Sequence, residues 1–483
     1  MNKVVDLSDA YVVLGSGPNA IAAIHGLLKT KKYIYVIDAG ITEKSFSVSK
    51  TGKTKSRYSS PKFFNKKNAF VFNSFLQMNR VSLKNFTLTS TLAKGGLSNV
   101  WGGGLLPYNK NNFSKYPYEW ETIKETYPKI YKILTNKEIS IESIENNDID
   151  VLNLEFAKPL LRDSLLAINY DDSLSKRCSS SSCGLGCLIC NKGIYNSSSE
   201  IDNLIKEKKI KYLPNLFIDN IIKEDSSYKI LTSNTKDKSK ITYLAKNIFC
   251  SLGAISTTKL VLGMNNTTVS LPLLSTPAGR FIIFSSKPNF DKRSSLLSGK
   301  TLKFIDEDEI SSNIFPISLN LISSFFGDKI ATLIMKCFGK VLISRIYVAN
   351  IYFSSDYSSN AINIDDGVIN ISSSQNPKLN YRFKSAIKIL QSKLKESGFY
   401  ILPFGKKLLH AGEDIHYGGS LPMSANPCPY KCDLQGRLYN EEGFYITDSS
   451  SMPYLPGKPH TFNSMAQAYL CTKNFIDREE LVS

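Results

Sequence analysis

Several features are scarce in this sequence, and each shortage excludes a class of protein. Its 483 residues include only two tryptophans and four histidines. No window holds about eighteen uncharged apolar residues, so we expect no membrane-spanning helix. The first residues lack the apolar run of a secretory signal peptide. Nine cysteines without such a signal indicate reduced thiols and a cytoplasmic location.

Acidic residues are fewer than basic ones, 42 against 60, which gives a formal charge of +18. The basic residues are dispersed, with short runs at 53–57 and 206–211, and form no compact basic–aromatic motif. We therefore expect no nucleic-acid partner. Peripheral contact with the anionic inner face of a membrane stays open, since the apolar segment 314–349 is either ordinary core or an amphipathic surface element.

The length and composition predict a globular protein with more than one core. Hydrophobic residues make up 42% of the chain and aromatic residues 11%, and there is no repeat of fixed period. A chain of this size normally divides into domains. We therefore expect two domains.

A nucleotide-binding pattern opens the chain. Residues 11–14 form a short apolar run typical of a buried parallel strand, and residues 20–28 repeat apolar side chains at helical spacing. The turn between them contains Gly15 and Gly17, followed by Pro18, Asn19 and Ala20. A second strand at 33–37 ends at Asp38, which is placed to bind a ribose. This βαβ unit fits NAD and FAD equally well.

Four further segments distinguish between these cofactors. They are Gly-Gly-Leu-Ser-Asn-Val-Trp-Gly-Gly at 95–103, Ser-Leu-Gly-Ala-Ile-Ser-Thr at 251–257, His-Tyr-Gly-Gly-Ser at 416–420, and the pair Asp-Ser-Ser at 448–450 and Pro-His-Thr-Phe at 459–462. With the opening turn they resemble, in order, the motifs of the glucose–methanol–choline oxidoreductase family. The sequence departs from the family at 421–423, after the histidine motif, and at Asp38, where the family more often has Glu.

This resemblance implies an FAD site assembled from both ends of the chain. Besides the opening turn and Asp38, it assigns the following residues to the cofactor: Gly95, Gly96, Ser98, Asn99, Trp101, Gly102, Ser251, Gly253, Ala254, Asp448, Ser449, His460, Thr461 and Phe462. Some family members bond a histidine covalently to the flavin, and the matching position here is Val100. The resemblance therefore implies non-covalent FAD.

The resemblance also implies the reaction. His416 corresponds to the general base that takes the proton of a substrate hydroxyl, and His460 to its partner on the substrate oxygen. His25 and His410 lie outside the motifs and are expected to be structural. The implied function is oxidation of the CH–OH group of an alcohol, sugar or polyol with hydride transfer to flavin N5, to an unknown electron acceptor. An NAD-dependent dehydrogenase and a basic membrane-associated protein on a degenerate flavin fold remain the alternatives.

The expected fold class is α/β. It combines a discontinuous Rossmann-like FAD-binding domain with an α+β substrate domain that contains an antiparallel sheet. We assign residues 1–110, 240–275 and 410–483 to the FAD-binding domain and residues 111–239 and 276–409 to the substrate domain. A strand pattern at 347–353 and 361–364 and a helix at about 384–397 support the second domain.

Four cysteines fall close together at Cys178, Cys183, Cys187 and Cys190. Four nearby thiols are able to bind zinc or an iron–sulfur cluster, but these spacings match no standard pattern for either. The sequence leaves a metal site and a packed loop of reduced thiols as alternatives.

Overall fold

The computed structural model describes residues 3–45, 69–146, 162–163, 165–168, 194–288, 300–305, 309–316, 333, 344–374 and 376–482. Its helices are α1 (Pro18–Leu27), α2 (Ala69–Met78), α3 (Trp120–Ile123), α4 (Thr126–Thr135), α5 (Ile141–Asn146), α6 (Ser197–Lys206), α7 (Ala254–Met264), α8 (Pro377–Glu396) and α9 (Thr461–Val482). Short 3₁₀ helices cover Gly96–Asn99, Lys110–Lys115, Ser355–Tyr357 and Ser449–Ser451.

The strands of the described residues form five sheets. In chain order they are β1 (Lys3–Asp6), β2 (Tyr11–Leu14), β3 (Ile34–Ile37), β4 (Arg80–Lys84), β5 (Arg162–Asp163), β6 (Lys211–Leu213), β7 (Leu216–Glu224), β8 (Ser227–Asn234), β9 (Lys240–Ala245), β10 (Asn247–Cys250), β11 (Leu271–Pro272), β12 (Leu274–Ser275), β13 (Ala278–Ser285), β14 (Lys300–Ile305), β15 (Glu309–Pro316), β16 (Ile346–Tyr352), β17 (Asn360–Asp365), β18 (Val368–Ser373), β19 (Phe399–Ile401), β20 (Lys407–Leu408), β21 (Tyr417–Gly418) and β22 (Phe444–Ile446).

A parallel sheet joins the two ends of the chain. Its order is β22-β10-β2-β3-β6, and every neighbouring pair is parallel. All four residues of β2 are buried, because both faces of the sheet are covered. Val12 and Leu14 face one core cluster, and Tyr11 and Val13 face another. The predicted strand, glycine turn and helix therefore lie at the centre of this sheet.

Helices α1 and α9 pack tightly against each other on one face of the sheet. The contact depends on Gly26, where an added Cβ would lie only 2.8 Å from the Tyr469 carbonyl oxygen. The Ser464 hydroxyl donates to Asn19 Oδ1 at 3.1 Å. The N-terminal ends of both helices are thereby held side by side, although the helices are more than 400 residues apart in sequence.

Two smaller sheets flank the parallel sheet. One has the order β1-β9-β8-β7 and the other β11-β17-β18-β4. Strand β6 belongs to the parallel sheet, β8 pairs with β9, and β7 pairs with β8, although the predicted division assigned residues 111–239 to the substrate domain. Segment 211–234 is thus joined to the parallel sheet and to the sheet that contains β9.

The largest sheet is antiparallel and has seven strands, in the order β19-β13-β16-β15-β14-β5 with β20 beside β13. Helix α8 covers one face, where Phe383 and Leu390 pack against Phe281 and Ile351. The helix begins earlier than predicted because Asn376 caps it, accepting from Lys378 N at 3.1 Å, with Pro377 as its first residue. The predicted strands at 347–353 and 361–364 are confirmed as β16 and β17.

This mixture of a parallel sheet, antiparallel sheets and helices agrees with the predicted α/β class. Most of the apolar segment 314–349 lies outside the described residues, except for the ends that belong to β15 and β16. Within the part of the chain that the structure describes, no helix is both long enough and apolar enough to span a bilayer.

Candidate active site

A cavity of about 960 Å³ lies between the parallel sheet and the antiparallel sheet. Its size is at the upper end of the range for small-molecule and cofactor sites. Most residues assigned to the cofactor from the sequence line it. They are Gly15, Gly17, Pro18, Asn19, Asp38, Gly96, Ser98, Trp101, Gly102, Ser251, Gly253, Ala254, Asp448, Ser449, His460 and Thr461.

Four of the assigned residues do not line the cavity; they pack or form hydrogen bonds behind the residues that do. Ala20 is fully buried in α1, and Phe462 is fully buried against Tyr127 with ring centroids 5.1 Å apart. An added Cβ on Gly95 would lie 2.5 Å from Ser198 N. The Asn99 side chain donates to Lys94 O at 2.8 Å and to Gly96 O at 2.7 Å, which fixes the 3₁₀ helix.

The glycine turn is built for close backbone approach. Gly15 has φ +98°, and an added Cβ would lie 2.6 Å from the Ser251 carbonyl oxygen. An added Cβ on Gly96, at φ +59°, would lie 3.1 Å from Gly17 Cα. The opening turn, the second motif and the middle segment therefore meet at one point.

Backbone surrounds an open part of the cavity. A Cβ added to Gly102, Gly104 or Gly253 would meet no described atom within 4 Å. Helix α1 begins at Gly17 without a side-chain cap, so its first N–H groups are available to an anion, whereas at the start of α7 the Asp448 carboxylate accepts from Gly253 N at 2.8 Å. Asn19 Nδ2 is buried and has no partner among the described residues. These features fit a dinucleotide with its pyrophosphate at the start of α1.

Asp38 lies at the end of β3, where a ribose would bind. Its Oδ2 accepts from Ser16 Oγ and, at 2.9 Å, from the Tyr212 hydroxyl. Burial raises the pKa of Asp38, and the hydrogen bonds from Ser16 and Tyr212 oppose that rise. Tyr212 comes from β6 and was not recognised from the sequence, because nothing in its own segment marks it as part of the site.

Asp448 connects the middle of the chain to its C-terminal segment. Its Oδ2 accepts from Gly253 N at 2.8 Å and from Thr257 Oγ1, and its Oδ1 accepts from Ser450 N at 2.9 Å. Ser251 Oγ bonds Thr447 Oγ1 at 2.7 Å beside it. Asp448 lines the cavity, but its carboxylate is occupied in joining the middle of the chain to the C-terminal segment.

The second motif is anchored to the segment that leads into α6. Ser98 Oγ accepts from Ser197 N at 3.0 Å, and Trp101 Nε1 donates to Tyr195 O at 2.9 Å. On the other side of the cavity, Ser449 Oγ donates to Tyr417 O at 2.7 Å. These bonds explain how serine and tryptophan side chains from distant segments are held at one cavity.

The two predicted catalytic histidines are neighbours. The ring centroids of His416 and His460 are 5.4 Å apart with the planes at 87°, and both rings line the cavity. Burial lowers the pKa of His416 to about 3, assisted by the His460 ring, and burial alone lowers the pKa of His460 to about 4. His460 Nδ1 is buried without a partner among the described residues. Both rings are thus neutral at physiological pH.

Two residues that sequence reasoning missed stand behind His416. Its Nδ1 lies 2.9 Å from Thr276 Oγ1, and Asp414 Oδ2 accepts from Thr276 N at 3.0 Å and from Thr276 Oγ1 at 3.5 Å. Burial raises the pKa of Asp414 to about 7. The position of Asp414, two residues before His416, was a signal available in the sequence. Thr276 gave none, since it lies just before β13 and is 140 residues from His416 in the sequence.

The antiparallel sheet supplies another group that the sequence did not reveal. Arg280, Asn313, Asn350 and Tyr352 line the cavity. The Tyr352 and His416 ring centroids are 5.4 Å apart. In β13 and β16 these polar side chains interrupt mostly apolar runs, which is a trace of them in the sequence.

The remaining histidines lie away from the cavity. His25 Nε2 is 3.0 Å from Glu200 Oε1, and His410 is exposed. The four clustered cysteines fall outside the described residues, so the question of a metal there stays as the sequence left it. Among the residues that are described, no group of three or more His, Cys, Asp or Glu side chains is arranged to hold a metal.

Comparison with known proteins identifies the fold. No family model matches the sequence, and no curated protein matches it. Among solved structures, the chain is similar to pyridoxine 4-oxidase from Mesorbium loti, with a TM-score of 0.58 and 11% identity over 99% of both chains. The likeness covers the whole length of both proteins and confirms the predicted fold class.

Proposed function

We propose that this protein is an FAD-dependent oxidoreductase that oxidises a CH–OH group to a carbonyl. The observation that carries the proposal is the meeting of His416 and His460 in the cavity that also holds the opening glycine turn. The similar solved structure bears the name of an oxidase, pyridoxine 4-oxidase. The five motif segments, which resemble those of glucose–methanol–choline oxidoreductases, support the same reaction.

The residues around the cavity suit bound FAD. The start of α1 and the turn at Gly15 and Gly17 would bind the pyrophosphate, and Asp38 the ribose. Gly102 and Gly253 leave room for close approach of a planar ring system to the backbone. Val100 lines the cavity without a nucleophilic atom, so we propose non-covalent binding. When bound, the flavin would supply the acceptor for the hydride that leaves the substrate carbon.

The hydrogen bonds around His416 suit a general base. If the Thr276 hydroxyl donates to Asp414, Nδ1–H of His416 donates to Thr276, and the lone pair lies on Nε2. A neutral ring with this tautomer takes the proton of a substrate hydroxyl. The nearby His460 ring would bind the same oxygen and hold it in place. Such a base typically contributes about 10²–10⁴-fold to the rate.

Removing the base tests the proposal. We expect His416→Ala to retain bound flavin and to reduce it about 10²–10⁴-fold more slowly under anaerobic conditions with an alcohol or sugar that bleaches the wild type. Stopped-flow loss of flavin absorbance measures this rate. The matched control is His410→Ala, since His410 is exposed and does not line the cavity.

The control variant should reduce as fast as the wild type. If His416→Ala also reduces at that rate, the assignment of His416 is wrong. If the purified wild type carries no flavin, the proposed cofactor is wrong, because absorbance of the bound chromophore does not depend on knowing the substrate.

A further inference from the structure

A row of polar side chains crosses four strands of the antiparallel sheet. Lys407 pairs with Arg280, Arg280 with Asn350, and Asn350 with Asn313. Residues directly opposite each other in antiparallel strands point to the same face. All four side chains line the cavity. We call Lys407, Arg280, Asn350 and Asn313 the polar row.

The position of the row is set by the apolar face behind it. The neighbouring residues Phe281 and Ile351 are fully buried and pack under α8. Since side chains alternate along a strand, Arg280 and Asn350 must point the other way, into the cavity. A charged side chain on the inner face of a sheet needs a polar partner to offset its loss of hydration.

Arg280 has one such polar partner among the described residues. Its Nε donates to Asn350 Oδ1 at 2.9 Å, and it forms no ion pair with any described carboxylate. A guanidinium has five N–H donors and remains charged in proteins. Burial lowers the pKa of Arg280, while the Tyr352 and Glu413 charges act in the opposite direction. The two terminal nitrogens are therefore suited to a planar anion in a bidentate arrangement.

The charges around Arg280 favour an anion at this end of the cavity. Lys406 and Lys407 are exposed at the cavity edge beside it. The acidic groups on this side are Glu413, which is exposed, and Asp414, whose pKa burial raises to about 7. Asp414 is already engaged with Thr276 at 3.0 Å. The cationic groups outnumber the ionised acidic ones here.

The polar row lies close enough to the histidines for one molecule to contact both. Tyr352 follows Asn350 by two residues on the same face of β16, which separates them by about 7 Å along the strand. The Tyr352 ring also lies beside His416, at 5.4 Å between centroids. A molecule held by Arg280 therefore reaches His416 with an extended segment of a few carbon atoms.

We propose that the substrate of this enzyme carries an anionic oxyacid group, a carboxylate or a phosphate, which Arg280 binds while His416 takes the hydroxyl proton several atoms away. Lys407 adds to the attraction, and Asn350 orients the guanidinium through its 2.9 Å bond. This inference rests on the proposed oxidation of a CH–OH group. It narrows the substrate class to hydroxy acids, sugar acids or sugar phosphates.

Matched substrates test the inference on the flavin-loaded protein. The first set is the ω-hydroxy acids from 3-hydroxypropanoate to 8-hydroxyoctanoate, each compared with its methyl ester. The second is glucose, gluconate and glucose 6-phosphate, which separates carboxylate from phosphate. We expect kcat/KM for flavin reduction to be at least about 10-fold higher for the best anion than for its neutral counterpart.

Variants assign the preference to Arg280. We expect Arg280→Gln to lower kcat/KM for the anionic substrate about 30- to 1,000-fold, mainly through KM, and to leave the neutral ester within about 3-fold. Arg280→Lys should recover part of the loss, because it keeps the charge but not the bidentate geometry. Arg80→Gln is the matched control, since Arg80 is exposed and pairs with Asp366 outside the cavity lining.

Binding of an unreactive anion gives a second readout that needs no turnover. Hexanoate should change the flavin spectrum of the wild type with a Kd at least about 10-fold below that of hexanamide, and Arg280→Gln should abolish this difference. If no alcohol reduces the flavin but the hexanoate preference is present and depends on Arg280, the oxidation fails and the anion site stands.

The inference is overturned if anions and their neutral counterparts bind and react alike, or if Arg280→Gln leaves the preference intact. It is also overturned if Arg280→Gln purifies folded but without flavin, because Arg280 would then bind the cofactor. Circular dichroism of each variant establishes that it is folded before it is scored.

Discussion

The two sides of the cavity are built in different ways. On the parallel-sheet side, the wall is backbone: Gly15, Gly17 and Gly96 bring three segments together, and two helices begin there. On the antiparallel-sheet side, the wall is side chains, with Arg280 and Tyr352 projecting from strands whose other face packs under α8.

This difference separates the part of the cavity suited to groups that all dinucleotides share from the part suited to recognising a particular substrate. A wall of backbone binds groups that every dinucleotide has, since N–H groups and helix N-termini suit any pyrophosphate. A wall of side chains is able to discriminate among substrates, because the side chain at each strand position has its own charge, size and hydrogen-bonding groups. The first wall should be sensitive to any added atom, and the second should tolerate a change of side chain without loss of fold.

Gly15→Val is the strongest way to test the backbone wall. The φ of +98° is poorly accessible to a branched residue, and its Cβ would lie 2.6 Å from the Ser251 carbonyl oxygen. We expect the free energy of unfolding to fall by at least about 4–5 kcal/mol and flavin to be lost. Urea unfolding and the flavin content of the purified protein measure the two effects.

Gly102→Ala is the matched control for that variant. Its added Cβ would meet no described atom within 4 Å, and Gly102 does not have a positive φ. The fold should keep its stability to within about 1 kcal/mol, while flavin affinity falls if the ring approaches the backbone there. Equal stability of Gly15→Val and Gly102→Ala would show that the close approach at Gly15 is unimportant.

The difference between the backbone wall and the side-chain wall also explains which site residues the sequence was able to predict. The opening βαβ unit was predicted because its strand, turn and helix are contiguous, so local spacing alone reports on Gly15 and Gly17. His416 and His460 were found because each sits in a recognisable segment near the C-terminus. For these residues the sequence supplied both the position and the expected role, and the structure brings the two rings together.

Residues that act through strand register were not predictable. Arg280 and Asn350 are 70 residues apart and become partners only because β13 pairs with β16 in one register. Shifting that register by one residue would turn the same side chains to the opposite face. Tyr212 and Thr276 are likewise placed by the fold and not by a local motif. The side-chain wall is therefore the part that required the structure.

Asp448→Ala tests whether a single side chain is essential on the backbone side. Its carboxylate is buried and accepts from Gly253 N, Thr257 Oγ1, Ser450 N and Ser450 Oγ, so its removal takes the acceptor away from four donors. We expect the free energy of unfolding to fall by about 3–4 kcal/mol, measured by urea denaturation. Asp366→Asn, at an exposed aspartate, should change it by less than about 0.5 kcal/mol. A loss as small as that of the control would mean that the carboxylate does not hold the two segments together.

Asp414→Asn should give the smallest effect, and its size depends on pH. Burial raises the pKa of Asp414 from 3.8 to about 7, so the folded protein holds a proton that the unfolded chain releases above pH 3.8. The wild type therefore loses stability from this group as the pH rises from about 4 to 7, and the amide does not. We expect the variant to gain about 1–3 kcal/mol relative to the wild type between pH 4 and pH 8, measured by urea unfolding at each pH. Glu413→Gln, at the exposed carboxylate next to it, is the matched control. A difference for Asp414→Asn that stays constant with pH would mean that the carboxyl behind His416 is not held in its protonated form.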